Sequence, residues 1–208
     1  MDNFSLRQKG QFTIEFDTKI KVGALDETYT EEPLVDLTYE GGSVDYKLVV
    51  NNMGNLPYND IQVVDILPHI GDTGVIITNV SRLSQFSIYA TENITAKVVE
   101  NDTVLSNVTP LVEYSQSYNP IRFSSTNFGD DTIEKDNDWT TIPPSDITEI
   151  KSIRITLDNY LLQPNQSIVI DLYGVAPFCV IENLVAWNSI AIKGRYLDEN
   201  GNTQKYYQ

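Results

Sequence analysis

Alternation of apolar and polar residues is the feature that most constrains the fold of this chain. It recurs in five segments, at residues 12–22, 44–50, 153–157, 168–172 and 186–192. A period of two places the apolar side chains on one face of a β-strand, which is then half-buried. Turn signals such as Gly41-Gly42, Gln163-Pro164-Asn165 and Asn200-Gly201 separate the segments. Many short strands with such punctuation predict an all-β sandwich.

Length and charge narrow the class of protein. A chain of 208 residues is long enough to bury a core without added disulfides or structural metals. A single cysteine, Cys179, excludes an internal disulfide framework. The formal net charge of −15 argues against nucleic acid and against an anionic membrane surface as partners. No apolar stretch has the length of a membrane span. We therefore expect one domain over residues 1–208, with no membrane insertion in this segment.

The middle of the chain has a less regular pattern. Residues 113–146 cluster Ser, Asn, Asp and Pro, and Tyr114, Tyr118 and Trp139 are interleaved among them. We predict that residues 113–146 form a long ordered insertion over one edge or end of the sandwich, held there by its aromatic side chains. They belong to an extended insertion region at residues 70–146.

The sequence offers little support for conventional enzyme chemistry. The one histidine, His69, follows Pro68 in a turn, where we expect it to be solvated. Together with Cys179 it is too little for a zinc site, and no glycine motif for phosphates is present. Paired acids such as Asp130 and Asp131 are common on acidic surfaces. We predict that the chain is not an enzyme with an external substrate.

One acidic stretch is a candidate calcium site. Residues 129–138 read GDDTIEKDND, and calcium prefers several oxygen ligands. The candidate ligands are Asp130, Asp131, Asp136 and Asp138. Their spacing does not match an EF-hand loop, and a solvated acidic loop is the commoner case. We expect no required cofactor, with calcium as the alternative.

Asp65 is the residue that the strand pattern does not explain. Ile61, Val63 and Asp65 alternate along one face of a strand, so a carboxyl shares the face of two core residues. In one reading, Asp65 ends its strand and binds backbone N–H groups in the turn through Leu67 and Pro68. In the other, it is buried, and burial raises the pKa of a carboxyl so that it tends to be protonated.

The stretch around Asp65 resembles a known family. Residues 41–68 read GGSVDYKLVVNNMGNLPYNDIQVVDILP, similar to the repeat domain of Gram-positive bacterial surface proteins often called DUF11. Residues 147–177 resemble its strand-turn-strand segment, and residues 186–194, AWNSIAIKG, resemble its last strand. The resemblance implies an immunoglobulin-like sandwich in a cell-wall-attached stalk or adhesin, related to the collagen-adhesin modules. It also implies an extracellular location, with signal and anchor outside this segment, and neighbouring modules of the same chain as partners.

The resemblance also implies a site. Some relatives form an internal isopeptide bond between a first-strand Lys and a last-strand Asn, promoted by a buried acid. Asp65 matches the promoter, Asn188 the asparagine and Lys21 the lysine, with Lys19 and Lys151 as alternates. The two first-strand lysines alternate onto the face opposite the apolar residues, so a β-bulge is needed to turn Lys21 inward. Otherwise Asp65 and Asn188 satisfy backbone groups and have a structural role.

We therefore predict a structural module, a stalk or spacer, of a bacterial cell-surface protein. The alternative is a ligand-binding adhesin domain that recognises host glycan or matrix protein through Tyr114, Tyr118 and Trp139, since aromatic residues with a polar rim suit such a surface. In the simpler case, the same aromatic residues only anchor the long loop.

Overall fold

Two antiparallel sheets packed face to face form the structure. The computed structural model describes residues 14–22, 30–31, 38–91, 94–120, 138–157, 160–178, 183–198 and 200–207. Nearly all of its regular structure is β, which confirms the predicted fold class, an immunoglobulin-like sandwich. Nowhere in the described residues does the chain form a helix with the length and apolar composition that a bilayer span needs.

The described strands are β1 (Ile14–Val22), β2 (Thr30–Glu31), β3 (Ser43–Asn52), β4 (Tyr58–Ile66), β5 (Tyr89–Ala90), β6 (Thr95–Glu100), β7 (Thr103–Val108), β8 (Leu111–Ser115), β9 (Ser152–Leu157), β10 (Gln166–Val175), β11 (Ser189–Leu197) and β12 (Thr203–Tyr207). A short 3₁₀ helix, Ile147–Glu149, precedes β9, and the side chain of Asp146 accepts a hydrogen bond from the Thr148 N–H at its start.

The order of the strands is immunoglobulin-like. The first sheet runs β2-β1-β3-β10-β6-β7, with β5 beside β10, and the second runs β12-β11-β4-β9-β8. Within them, β1-β3-β10-β6 and β12-β11-β4 correspond to the four-stranded and three-stranded sheets of the immunoglobulin fold. The other strands widen the two sheets at their edges.

Residues 70–146, where we predicted an extended insertion, supply strands to both sheets. They include β5, β6 and β7 of the first sheet and β8 of the second. The described part of this range is therefore built into the sandwich. Residues 121–137 lie outside the described residues.

The main core lies between the sheets, and the strand alternation creates it. Along β3 every second residue is buried, as the sequence pattern predicts. On β4 both faces are buried at one end, because Val64 and Ile66 pack with Val75, Trp139 and Ala191 on the outer face of the second sheet. Full burial of one large aliphatic side chain is worth about 1.5–3 kcal/mol.

The strand directions define two ends of the sandwich. At the Met53 end, the chain turns through residues 53–57, 101–102, 160–165, 198 and 200–202. At the Ile70 end, it passes through residues 38–42, 67–88, 116–120, 138–151, 176–178 and 183–188. β1 begins at the Met53 end, and β12 runs from that end toward the Ile70 end.

Candidate functional site

Asp65 lies inside the sandwich. It is fully buried in β4, where it pairs with Ile190 of β11 and Ile153 of β9. Its alternation with Ile61 and Val63, which belong to the main core, places it on the face between the sheets. The expectation that Asp65 binds the turn backbone does not describe this position, because the hydrogen bond that its carboxyl accepts comes from a side chain.

That side chain is Asn188, just before β11. Its Nδ2 donates to Oδ2 of Asp65 at 3.3 Å. The structure thus brings together the acid and the amide of the predicted site, although 123 positions separate them in the chain. Both reach the same place because β4 and β11 are neighbours, with Ser189 paired to Ile66.

Burial sets the protonation of this pair. It raises the pKa of Asp65 from 3.8 to about 7, while the hydrogen bond from Asn188 and the charge of Arg82 act in the opposite direction. The neutral acid is therefore substantially populated near neutral pH. Oδ1 of Asp65 and Oδ1 of Asn188 are buried, and neither has a hydrogen-bond partner among the described residues. A neutral carboxyl carries an O–H donor that a carboxylate lacks, so protonation supplies a donor where two acceptors are unsatisfied.

Arg82 supplies the positive charge that acts on Asp65. Its Nη2 donates to Oδ2 of Asp72 at 2.7 Å and to the carbonyl oxygen of Ile66 at 2.9 Å. Sequence reasoning missed Arg82, because the segment that carries it has no alternation to indicate which side chains turn inward. The only available signal was that Arg82 is the single charged residue in residues 73–91.

Asp72 holds this segment together. Its fully buried Oδ2 also accepts from Ser84 Oγ at 2.5 Å and from the backbone N–H of His69 at 3.2 Å. Ser84 Oγ in turn accepts from the backbone N–H of Trp187 at 2.9 Å. One carboxylate thereby connects residues 69–84 to the segment that carries Asn188.

His69 is buried, which corrects our expectation of a solvated turn histidine. It is 2% exposed, and its ring meets Tyr118 edge to face at 5.3 Å between centroids. Nδ1 lies 2.8 Å from the carbonyl oxygen of Leu67, and a carbonyl only accepts, so Nδ1 carries the proton. Burial is the main cause that lowers the pKa of His69. The error arose because Tyr118, which packs against the ring, lies far from His69 in the chain, so the local sequence does not reveal the contact.

The first-strand lysines occupy outer-face positions. Lys19 pairs with Lys47, and Lys21 pairs with Asp45, and these β3 partners alternate with the buried residues of the strand. The pairing of β1 with β3 continues without a register shift from residue 14 to residue 22. The β-bulge that would turn Lys21 inward is therefore absent from this ladder. The side chains of both lysines lie outside the description.

Lys151, the third candidate, is engaged elsewhere. Its Nζ donates to the carbonyl oxygen of Thr148 at 3.1 Å and lies 5.6 Å from the ring centroid of Tyr118. The structure thus brings together Asp65 and Asn188 but places no described lysine side chain with them.

The three aromatic residues proposed for ligand binding do not form one exposed platform. Tyr114 belongs to the main core, and Trp139 is buried with the guanidinium of Arg154 4.5 Å above its ring. Tyr114 faces the space between the sheets, whereas Trp139 is buried because residues 139–140 run beside β8 and cover the outer face of the second sheet. Tyr118 is exposed, at 63%.

The calcium prediction falls largely on residues that are not described. Asp130, Asp131 and Asp136 lie outside the described residues, and Asp138 is exposed. Within the described ranges, no group of three or more His, Cys, Asp or Glu is placed to hold a metal ion.

No protein-family model matches this chain, and no curated protein matches it. The resemblance to DUF11 stays a prediction. Among solved structures, the chain is similar to the major pilin subunit of Bacillus cereus, with 9% identity and a TM-score of 0.41 over 94% of this chain and 38% of that one. It therefore spans well under half the length of that pilin.

Two further solved structures have a sequence identity and a TM-score similar to those of the pilin. The collagen binding subdomain of the Enterococcus faecalis surface protein ACE matches with 12% identity and a TM-score of 0.37, over 83% of this chain and 88% of that one. A domain with flanking linkers from a cellulosome scaffoldin of Clostridium thermocellum matches with 10% identity and a TM-score of 0.34, over 90% and 92%. Because all these scores lie below 0.5, we rest the fold on the strand pairing.

Proposed function

We propose that this chain is a structural module, a stalk or spacer, of a bacterial cell-surface protein. The observation that carries the proposal is the path of the chain through the sandwich. β1 begins at the Met53 end and is paired with β3 over its whole length, and β12 runs toward the Ile70 end. Tension along the long axis therefore loads the β1–β3 ladder in shear, so that its hydrogen bonds must break together.

Single-molecule force spectroscopy tests this role. Pulled from its two termini, the chain is expected to unfold in one cooperative event at high force. A matched control attaches the handles at Gly54 and Asn200, both at the Met53 end, as cysteines in a Cys179→Ser background. That geometry peels strands apart one bond at a time and should give a lower force. Equal forces in the two geometries would contradict the mechanical role.

An internal Lys–Asn cross-link is the finer form of the proposal. It is supported by a protonatable Asp65 bonded to Asn188 in a buried site. A neutral lysine amine would attack the Asn188 side-chain carbon, the new C–N bond would form, the bond to Nδ2 would break and ammonia would leave. The register of Lys19 and Lys21 opposes this step, because β1 would have to leave its observed ladder to bring either amine inward.

The intact mass of the purified chain separates the two forms. A mass one ammonia below the sequence value, restored in Asp65→Ala, would establish the cross-link. An unmodified mass leaves Asp65 and Asn188 as a non-covalent acid–amide pair, which is the form that the described geometry favours.

A ligand-binding adhesin is the second candidate, and the exposure of Tyr118 favours it. Its ring lies at the Ile70 end, beside Lys151. A glycan and matrix-protein array is the test, with Tyr118→Ala against Tyr39→Ala, a second exposed tyrosine at the same end. Loss of binding in Tyr118→Ala but not in Tyr39→Ala would support the adhesin hypothesis.

A further inference from the structure

Several buried polar atoms have no hydrogen-bond partner where the connection 67–88 meets the Ile70 end of the core. They are Nε and Nη1 of Arg82 and the Oδ1 atoms of Asp65, Asp72 and Asn188. All five atoms are buried, and none is bonded to another group among the described residues. A buried donor or acceptor without a partner costs its full desolvation free energy. Native proteins therefore satisfy such groups, either with protein atoms or with ordered water.

The hydrogen bonds of these residues bring the five atoms close together. Nδ2 of Asn188 donates to Oδ2 of Asp65 at 3.3 Å. Nη2 of Arg82 donates to Oδ2 of Asp72 at 2.7 Å, and to the carbonyl oxygen of Ile66, the residue after Asp65, at 2.9 Å. Burial lowers the pKa of Arg82, and the charges of Asp72 and Asp65 oppose that shift, so the guanidinium lies within electrostatic range of both carboxyls.

A second arginine shows how the chain satisfies a guanidinium with protein atoms alone. Nε and Nη2 of Arg154 donate to Oε2 and Oε1 of Glu113 at 2.7 and 2.9 Å. The side chains of Arg154 and Arg82 are 13% and 12% exposed, and each belongs to an ion pair at 2.7 Å. Arg82, however, bonds its carboxylate only through Nη2. Its Nε and Nη1 are buried to the same degree and lack the second carboxylate oxygen that Arg154 has.

A second buried asparagine gives the same contrast for the amide. Asn52 is fully buried, and its Nδ2 donates to the carbonyl oxygens of Leu56 and Leu162 at 2.9 and 3.0 Å. Its Oδ1 accepts from the backbone N–H of Gly54 at 3.1 Å. Both polar atoms of Asn52 are therefore satisfied by the backbone, whereas Asn188 is partnered only through Nδ2.

The mixture of donors and acceptors defines what can occupy this place. The positive charge of Arg82 disfavours a cation, and the acids Asp65 and Asp72 disfavour an anion. A neutral Asp65 can donate to the amide oxygen of Asn188, but this leaves the N–H groups of Arg82 without an acceptor. The occupant must therefore be small and neutral and must both accept and donate hydrogen bonds. Water has these properties, and buried water in proteins typically makes about three hydrogen bonds to such groups.

We propose that the Ile70 end of the core contains a structural water site, in which water accepts from Nε and Nη1 of Arg82 and donates toward the Asp65–Asn188 pair. The water attaches the connection 67–88 to the two central strands of the second sheet, β4 and β11. This site is independent of the stalk role. It also gives the acid–amide pair a partner that is not a lysine, because a lysine amine in the cross-link would compete for the same oxygens.

Nuclear magnetic resonance of the ¹⁵N-labelled chain tests the proposal at the Nε–H groups of Arg82 and Arg154. The two signals are assigned by their loss in Arg82→Lys and in Arg154→Lys. A water held in a buried site gives cross-peaks of opposite sign in water-selective NOE and ROE spectra, whereas direct proton exchange gives the same sign in both. We expect the opposite-sign pair at Arg82 and not at Arg154, because Nε of Arg154 is bonded directly to Glu113.

Two variants exclude a signal that is relayed through a hydroxyl group. Tyr46 is buried in β3, and the charges of Asp65 and Arg82 both act on its pKa, which burial raises. Tyr46→Phe removes this hydroxyl, and Asp65→Asn removes the carboxyl proton but keeps an acceptor. The signal at Arg82 should persist in both variants. Its absence from the wild type, or its loss in either folded variant, would overturn the proposal.

A high-resolution crystal structure of the wild type gives the same answer without any substitution. The expected result is a water oxygen within hydrogen-bond distance of Nε or Nη1 of Arg82 and of Asp65 or Asn188. A lysine Nζ in this place, or a direct contact between the guanidinium and Asp65, would overturn the proposal. Neither result changes the outcome expected of the force experiment, which depends on the β1–β3 ladder.

Discussion

Asn188 Nδ2 lies 3.3 Å from Oδ2 of Asp65, and this contact ties the segment before β11 to the centre of β4 inside the core. The carboxyl is fully buried, so its charge state affects the stability of the whole sandwich. The neutral acid suits this site, because it needs no counter-charge and offers a donor to the amide oxygen.

Asp65 is expected to make the protein less stable as the pH rises. Its pKa is 3.8 in the unfolded chain and about 7 in the folded one, so the folded state binds more protons between these values. Stability is greatest below the unfolded pKa and is lost as the pH rises through the folded pKa. At 1.36 kcal/mol for each pKa unit, the loss is on the order of 4 kcal/mol between pH 4 and pH 8.

Urea unfolding of the wild type and Asp65→Asn across that range measures this effect. The neutral amide cannot ionise, so its free energy of unfolding should rise relative to that of the wild type as the pH increases. Asp60→Asn is the control, because Asp60 is part-exposed and paired with Arg195 at 3.5 Å. Parallel curves for the wild type and Asp65→Asn would show that Asp65 does not carry a raised pKa.

Removal of Arg82 should be severely destabilising. Arg82→Met leaves Asp72 buried without its cation, and loss of one partner from a buried ion pair costs about 3–5 kcal/mol. Arg195→Met is the matched control, because its partner Asp60 is part-exposed and such pairs are worth about 0–1 kcal/mol. Chemical denaturation of both variants measures the difference. Similar losses for both would mean that the Asp72 network is solvated.

Local periodicity was sufficient to predict β1, β3, β4, β9, β10 and β11 and part of the site, but not the strands within residues 70–146. The alternation of Ile61, Val63 and Asp65 predicted which side chains of β4 face the space between the sheets. The alternation of Asn188 with Ile190 predicted which side chains face inward at the start of β11. The alternation of side chains between the two faces is a local property of a pleated strand. It predicts the buried face correctly here because β4 and β11 are both central strands of their sheet.

The parts that were missed depend on contacts between distant segments. Arg82 and His69 lie in a long connection whose inward side is decided by Asp72 and by the segment around Trp187. The sequence left Trp139 open between a ligand-binding aromatic and an anchor of the long loop, because nothing local shows that it covers Val64 and Ile66. Sequence periodicity does not show which connecting segment packs on the outer face of a given sheet.

Trp139 is expected to contribute to stability and not to binding. Trp139→Ala removes a buried side chain from the outer face of the second sheet, and such truncations typically cost about 3–5 kcal/mol. Trp187→Ala is the matched control, because Trp187 is exposed, and surface changes usually stay within about 0.5 kcal/mol. Thermal and urea unfolding compare the two. A stable Trp139→Ala variant that lost binding on a glycan array would instead support the hypothesis that Trp139 binds a ligand.

His69 should give a pH dependence of the opposite sign to that of Asp65. Burial lowers its folded pKa below the ordinary value of 6.5, and the charges of Lys151 and Arg82 act in the same direction, against Asp72 and the Leu67 carbonyl. Its contribution to stability is therefore complete above pH 6.5 and is lost as the pH falls toward the folded pKa.

His69→Asn keeps an N–H donor near the position of Nδ1 and cannot take up a proton. The difference in unfolding free energy between the wild type and this variant should shrink as the pH falls from 7.5 to 4.5. In the wild type, protonation of His69 in the unfolded chain lowers the free energy of unfolding, and the variant has no such protonation. The effect of Asp65 is present in both proteins and cancels in the difference. A gap that stays constant over this range would show that His69 titrates alike in the folded and unfolded chains, which would place its ring in solvent and not against Tyr118.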